Sequence, residues 1–151
     1  MRNKLGFTLV EILISIAVLG ILSGIAAMSL FGLQKQLNLE TAAQTLSQDI
    51  QSSRARSLST SNSWRLRITS TNGYVVEEET GNTWTVRKTV SLGGVIKLTN
   101  VSVGDSVSFD TRGFATFNLG GSALGEIRVT DSSRTLRVLP SMVGAVRVVK
   151  L

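Results

Sequence analysis

The sequence contains no cysteine, no histidine and a single proline among its 151 residues. Without cysteine there is no disulfide framework and no thiolate chemistry, and without either residue the common zinc sites and His-based catalysis are excluded. Charged residues make up 17 % of the chain, below the average of about a quarter. The 42 % share of hydrophobic residues is ordinary. These values indicate one domain of ordinary size, or a small domain with an accessory segment.

The apolar residues are concentrated near the N-terminus. From residue 7 to residue 33, about 27 positions, the only charged side chain is Glu11. A helix of that length extends roughly 40 Å and can cross a ~30 Å hydrocarbon core with some tilt. Arg2 and Lys4 precede it, and basic residues on a short flank favour the cytoplasmic side. We therefore predict one membrane span over 7–33, with the N-terminus in the cytoplasm and the rest of the chain outside.

Two simpler interpretations of the same segment remain open. A secretory signal cleaved after Gly24-Ile25-Ala26 would release a soluble β-domain, and an ordinary single-span anchor would only tether it. Neither interpretation explains Glu11, because a carboxylate in the middle of a span costs about 2.5–3.5 kcal/mol on insertion scales. Such a residue indicates a function and requires a partner.

A second helical pattern follows the apolar run directly. No proline or glycine interrupts residues 34–61, so we predict an amphipathic continuation of the same helix that ends between residues 57 and 63. Its small and aliphatic residues recur at helical spacing, and we expect this stripe to pack on the following domain rather than on a membrane or in a coiled coil. The stripe consists of Leu39, Ala42, Ala43, Leu46, Ile50 and Ser57.

From residue 62 to residue 151 the pattern changes to short β-strands. Trp64, Leu66 and Ile68 alternate with polar residues, and Thr71-Asn72-Gly73 is a hairpin signal. The resulting fold class is α+β, with a long N-terminal helix packed against an antiparallel β domain. Strands are predicted near residues 64–69, 74–79, 83–90, 95–98, 107–109, 115–117, 126–130, 135–139 and 145–149.

No group of residues in this region indicates catalysis. Glu77-Glu78-Glu79 is compatible with a Ca²⁺ site, but successive strand residues face opposite sides, so we expect a solvated strand end instead. Gly93-Gly94 and Gly120-Gly121 lack the context of a phosphate-binding loop and are interpreted as turns. We expect no enzyme activity, no catalytic residue, no metal and no cofactor.

The residues from Lys4 to Glu11, Lys-Leu-Gly-Phe-Thr-Leu-Val-Glu, resemble the leader junction of type IV prepilins and type II secretion pseudopilins. The resemblance implies that residues 1–6 form a leader, cut between Gly6 and Phe7 by a membrane prepilin peptidase. It also implies N-methylation of Phe7 and a pilin fold. Glu11 would then pair with the N-terminal amine of a neighbouring subunit, which supplies the partner that a carboxylate in lipid requires.

A second resemblance lies in the β region. Ser108–Phe117, Ser-Phe-Asp-Thr-Arg-Gly-Phe-Ala-Thr-Phe, together with Ile127-Arg128-Val129 and Gly144–Val148, is similar to segments of the GspH/FimT pseudopilin family. This resemblance implies a minor pilin or pseudopilin of the bacterial inner membrane, with two small sheets packed on the helix. Its implied partners are other pilins or pseudopilins and the inner-membrane assembly platform. Its implied role is to prime, cap or join a pilus-like filament, with the β domain periplasmic or extracellular.

DNA is a further candidate partner. Some DNA-binding members of the family end in Gly-Arg-x-Arg, whereas this chain has Gly144-Ala145-Val146-Arg147 and lacks the first arginine. Arg128, Arg137 and Arg147 lie in three neighbouring predicted strands, and with Lys150 they form the candidate DNA-binding set. The alternatives are therefore a structural filament subunit, a competence pilin that binds DNA through a basic face, and a released β-domain.

Overall fold

The computed structural model describes residues 8–120 and 125–151, and at residues 26–32 and 35 it describes the helix but not the side chains. The predicted leader 1–6 and the junction Gly6-Phe7 lie outside the described residues. The chain divides into two compact units, Met1–Leu37 and Asn38–Leu151. The second unit contains the whole β domain.

One helix, α1, runs from Leu9 to Thr60. Its end lies within the predicted exit, and Ser61 adopts a positive φ of 55°, the left-handed conformation that commonly terminates helices. No side chain between residues 9 and 60 prevents helix formation, because no proline lies in this range. The prediction of one continuous helix is confirmed.

The part of α1 in the second unit contributes one face to the hydrophobic core. Leu46 and Ile50 are completely buried, and Leu39 is 2 % exposed. Ser57 is also completely buried, and its hydroxyl donates to the Arg54 carbonyl at 2.8 Å, so the small polar side chain is satisfied within the helix. All six residues of the predicted stripe are buried, which confirms the amphipathic pattern.

The β domain consists of two antiparallel sheets, as the family resemblance implies. One sheet has the strand order β3-β2-β1-β5-β6 and the other β4-β7-β8-β9. Gly94 adopts a positive φ of 67° in a turn, which moves the start of β4 two residues beyond the predicted position. The strands are β1 Trp64–Ser70, β2 Gly73–Thr80, β3 Thr83–Ser91, β4 Lys97–Thr99, β5 Ser106–Phe109, β6 Ala115–Asn118, β7 Ile127–Thr130, β8 Thr135–Pro140 and β9 Val146–Lys150.

Both sheets turn an aliphatic and aromatic face towards the stripe of α1. Alternate residues of the strands are buried, as expected where one face of a sheet is covered. The helix and the two sheets therefore share one core, and the domain buries its apolar surface only with the helix in place. The strand residues of this core are Trp64, Leu66, Ile68, Tyr74, Val76, Leu98, Val107, Phe109, Ile127, Val129, Leu136 and Val138.

A polar cluster also joins α1 to the first sheet. The Tyr74 hydroxyl donates to Asp49 Oδ2 at 2.8 Å, and Lys88 Nζ donates to Asp49 Oδ1 at 2.6 Å. Burial raises the pKa of Tyr74 strongly, and the hydrogen bond to Asp49 raises it further, so the phenol remains a donor. Because Asp49 is almost completely buried, its two partners fix how the helix faces β2 and β3.

Candidate functional site

The first candidate site is the N-terminal turn of α1, which contains Glu11. The Thr8 side-chain oxygen accepts a hydrogen bond from the Glu11 backbone N–H at 3.2 Å, the geometry of a helix N-cap. Glu11 is the acidic residue of the first turn, where a negative charge is favoured by the helix dipole. The Thr-Leu-Val-Glu sequence therefore defines the start of the helix as well as the position of the carboxylate.

The helix beyond this turn exposes its apolar side chains. Every described side chain from residue 8 to residue 25 is exposed, and Leu9 and Ile21 reach 75 % and 67 %. Contiguous apolar surface of this kind marks a site of interaction with protein or lipid. In residues 8–120 and 125–151, no helix is both long enough and apolar enough to cross a bilayer. The exposed aliphatic residues are Leu9, Val10, Ile12, Leu13, Ile14, Ile16, Val18, Leu19, Ile21, Leu22 and Ile25.

The second candidate site is the outer face of the four-stranded sheet. Arg128 of β7 is directly opposite Arg137 of β8, and Arg147 of β9 is opposite Leu139, two residues further along β8. Because paired residues of antiparallel strands project from the same face, the three arginines share one face. The sheet therefore brings together three of the four residues proposed for DNA binding.

Two of these arginines already have a carboxylate partner. Glu126 is 5 % exposed and accepts from Arg137 Nε and Nη2, both at 2.8 Å, and from Arg128 Nε at 2.7 Å. These hydrogen bonds, first from Arg137 and then from Arg128, lower the pKa of Glu126 and keep it ionised. Arg147 forms no ion pair with any described residue, so of the three arginines it has the most capacity for an external anion.

Lys150 lies apart from the arginines. It is opposite Leu136, a buried residue of β8, so its side chain projects from the inner face of the sheet. Its ammonium group is 3.5 Å from Glu40 of α1. The fourth residue of the proposed set therefore points towards the helix side.

The glutamate run on β2 was interpreted wrongly from the sequence. Glu77 and Glu78 are buried, at 2 % and 7 % exposure, and do not form a solvated strand end. Glu77 accepts from Arg67 Nη2 at 2.6 Å and from Arg65 Nε at 2.5 Å, and these bonds lower its pKa. A β-bulge between Ile68 and Ser70 sets this register, because a regular hairpin at Thr71-Asn72 would place Glu78 rather than Glu77 opposite Arg65. Among the residues described, no three metal-ligating side chains lie together.

Sequence reasoning also missed a contact of Arg54 with two loops. Arg54 Nε donates to the Gly113 carbonyl at 3.1 Å. Gly113 and Gly144 have φ values of 76° and 74°, and a Cβ at Gly144 would overlap the Arg54 side chain. These are glycines of the segments that resemble GspH/FimT proteins. Glycine is required at Gly144 because the left-handed backbone and Arg54 leave no room for a side chain, whereas at Gly113 the left-handed backbone and the nearby Leu58 disfavour one.

Comparisons with known proteins agree with this architecture. Residues 1–27 match the family model described as prokaryotic N-terminal methylation motif, and residues 42–144 match the model described as type II transport protein GspH. A search of curated proteins found no match. A solved structure with the same fold is the minor pseudopilin EpsH from the type 2 secretion system of Vibrio cholerae, with a TM-score of 0.59 and 14 % identity over 75 % of this chain and 97 % of that chain. With two thirds of its length in one family model and a prokaryotic N-terminal methylation motif before it, this chain belongs to the type II transport protein GspH family.

Proposed function

We propose that this chain is a non-catalytic minor subunit that primes, caps or joins a pilus-like filament of the type II secretion or type IV pilus kind. Before assembly it is held in the bacterial inner membrane by the apolar segment 7–33, with the β domain outside. Its partners are prepilin peptidase, the inner-membrane assembly platform and the helices of other pseudopilins. The exposed apolar surface of α1 between residues 9 and 25 carries this proposal.

The physical argument is that this exposed apolar surface must be covered by lipid or by other protein. Eleven large aliphatic side chains along residues 9–25 are exposed, and a water-exposed surface of that size is unfavourable. Lipid covers it before assembly, and neighbouring helices cover it in the filament. Glu11 is then the one charged group inside an apolar layer, and its pairing with the amine of a neighbouring Phe7 favours one axial register over others.

The test is to replace Glu11 and to measure incorporation into filaments. In Glu11→Ala we expect the protein to be made and cleaved normally but to be reduced at least about tenfold in sheared filament fractions. Removal of the carboxylate leaves the neighbouring amine unpaired in lipid surroundings, which costs more than about 1.4 kcal/mol. Glu40→Ala is the matched control, since it removes a carboxylate from the same helix within the second unit.

Mass spectrometry of both variants provides the second readout. The mature chain should begin with N-methylated Phe7 in each case. Normal incorporation of Glu11→Ala would contradict the pairing role. A chain that begins near Ala27 would instead identify an ordinary secretory signal and a released β-domain.

A further inference from the structure

Strand β9 is the outermost strand of the four-stranded sheet. It pairs with β8 on one side, and no strand from residues 8–120 or 125–151 lies on its other side. Its residues are exposed except for the half-buried Val146. An edge strand of this kind presents unpaired backbone N–H and C=O groups, which are a template for another strand.

The hydrogen bonds at the two ends of β9 identify which backbone groups are open. Leu151 N–H donates to the Thr135 carbonyl at 3.2 Å, and Ser141 N–H donates to the Ala145 carbonyl at 2.8 Å. Bonded pairs alternate along antiparallel strands, so in β9 the groups of Arg147 and Val149 face β8. The N–H and C=O groups of the three intervening residues point away from the sheet: Val146, Val148 and Lys150.

The same three residues line a groove between β9 and α1. Their side chains project from the inner face, since they lie opposite Pro140, Val138 and Leu136. Two open hollows adjoin them. One has a volume of about 700 Å³ and is bordered by Val146 and, on α1, by Ala55 and Leu58. The other has a volume of about 290 Å³ and is bordered by Val148 and Gln44. A strand added to β9 would therefore place alternate side chains in this groove.

The other described edge strands are less suited to strand addition. β3 has a bulge where its register with β2 shifts between Val76 and Glu77, and its Arg87 and Lys88 are ion-paired. β4 and β6 have only three and four residues. Bulges and very short strands are devices that block edge-to-edge pairing. β9 has five residues in an unbroken register with β8.

The charges on β9 indicate which kind of strand can pair with it. β9 carries Arg147 and Lys150 and no acidic residue. Its outer face continues into Arg137 and Arg128, which share the single carboxylate of Glu126. A second copy of β9 would add cations to cations, whereas acidic side chains opposite arginine stabilise a strand pair.

We propose that β9 accepts, by strand addition, an extended segment of another protein in which aliphatic residues alternate with Asp or Glu. The aliphatic side chains enter the groove beside Val146 and Val148, and the carboxylates lie on the outer face beside Arg147. The backbone groups of the segment pair with those of Val146, Val148 and Lys150. A nucleic acid would pair its phosphates with the arginines, but it would neither hydrogen-bond to these backbone groups as a strand does nor fill the groove with aliphatic side chains. For this reason we propose a protein segment.

The test uses the full chain in detergent micelles and a labelled peptide of about eight residues, an ordinary strand length, in which Val and Glu alternate. Control peptides have the same composition in two blocks, or Lys in place of Glu. We expect saturable binding of the alternating Val/Glu peptide by fluorescence anisotropy. In amide hydrogen exchange, Val146, Val148 and Lys150 should gain protection, while Arg147 and Val149 should not change because they are already bonded to β8.

Two variants distinguish backbone pairing from charge. Val148→Pro removes one open N–H and should weaken binding about tenfold, the effect of one hydrogen bond, whereas Val148→Thr keeps the N–H and should bind normally. Arg147→Glu should shift the preference from the Val/Glu peptide to the Val/Lys peptide. If Val148→Pro fails to fold, this shift tests whether the peptide binds at β9.

Three outcomes would overturn the proposal. The first is no new protection at Val146, Val148 and Lys150 with saturating peptide. The second is protection that rises with protein concentration alone, which would identify a second copy as the occupant. The third is displacement of the peptide by duplex DNA with equal binding of the alternating and the block Val/Glu peptides, which would identify a general anion surface.

Discussion

The two halves of α1 have the same backbone conformation but opposite surroundings. In residues 9–25 every side chain is exposed, whereas from Leu39 to Ser57 one side of the helix is buried and the other is polar. The first half is apolar on all sides, which suits a lipid or multi-helix environment, and the second has the apolar stripe of a helix on a soluble core. One helix is thus divided by hydropathy into an exposed apolar half, for which we propose the assembly role, and a folding half that packs in the core of the β domain.

The largest expected difference between the two halves of α1 is the effect of replacing one leucine in each half on the stability of the β domain. Leu46→Ala removes a completely buried side chain and should destabilise the β domain by about 2–5 kcal/mol. Leu13→Ala, at a residue that is 53 % exposed, should leave the domain unfolding midpoint unchanged. Denaturant unfolding followed by the fluorescence of buried Trp64 measures both. Equal effects would show that the first half also stabilises the domain.

A second prediction concerns the anchorage of the folding half through Arg54. Gly144→Ala should destabilise the domain by about 2–4 kcal/mol, because a positive φ and an overlap with Arg54 act together. Gly81→Ala is the matched control, since Gly81 has a φ of 58° but no atom near the added Cβ. If the two variants lose the same free energy of unfolding, the contact with Arg54 does not contribute to the effect of Gly144→Ala. Arg54→Ala in the Gly144→Ala background should recover part of the loss.

The third prediction is a pH dependence that belongs to the β domain. Arg67 and Arg65 hold the pKa of Glu77 below its ordinary value of 4.5. A carboxylate whose pKa is lower in the folded state stabilises above its ordinary pKa, and this stabilisation is lost as the pH falls through 4.5 and below. Thermal unfolding from pH 7 to pH 3 should therefore show a decline below about pH 4.5.

Two variants on strand β2 test whether Glu77 causes this loss of stability in acid. Glu77→Gln should lose about 1–2 kcal/mol at neutral pH and show a shallower decline in acid. Glu79→Gln, at a half-buried position of the same strand, should keep the decline of the parent. A parent chain with constant stability down to pH 3 would show that the buried carboxylates do not couple folding to protonation.

The smallest expected effect concerns DNA. The full chain should bind duplex DNA weakly, without sequence preference and with a steep salt dependence. Arg147→Gln should reduce the log–log salt slope by about 1. The paired change Arg128→Gln and Arg137→Gln should have less effect, because Glu126 already neutralises part of their charge. Tight binding at physiological salt would favour the competence role over the structural one.

Local periodicity and chain chemistry made much of this fold predictable. The apolar run, the Leu39–Ser57 stripe and the alternation in Trp64–Ile68 each depend on neighbours in sequence, so the helix, the core face and the first strands followed directly. The resemblance at residues 4–11 added the expected processing site and the role of Glu11. Cleavage, methylation and pairing at these positions stay predictions.

The errors arose where distant residues meet. Glu77 and Glu78 were assigned to solvent because three carboxylates in a row are usually hydrated, and only the pairing of β1 with β2 surrounds Glu77 with arginines. The role of Lys150 in DNA binding stays a prediction, while strand alternation and the contact with Glu40 place it on the opposite face of the sheet from the three arginines.

The sequence by itself determined the division of the helix, the number of structural regions and the chemical character of each, because these depend on hydropathy and on residues three or four positions apart. Only the tertiary structure decided the partners of the charges, the need for glycine at Gly144 and the open edge of β9. The physical reason is that ion pairs, steric contacts and sheet edges are set by the order in which strands pair. Short β sequences specify alternation but not the neighbour on either side.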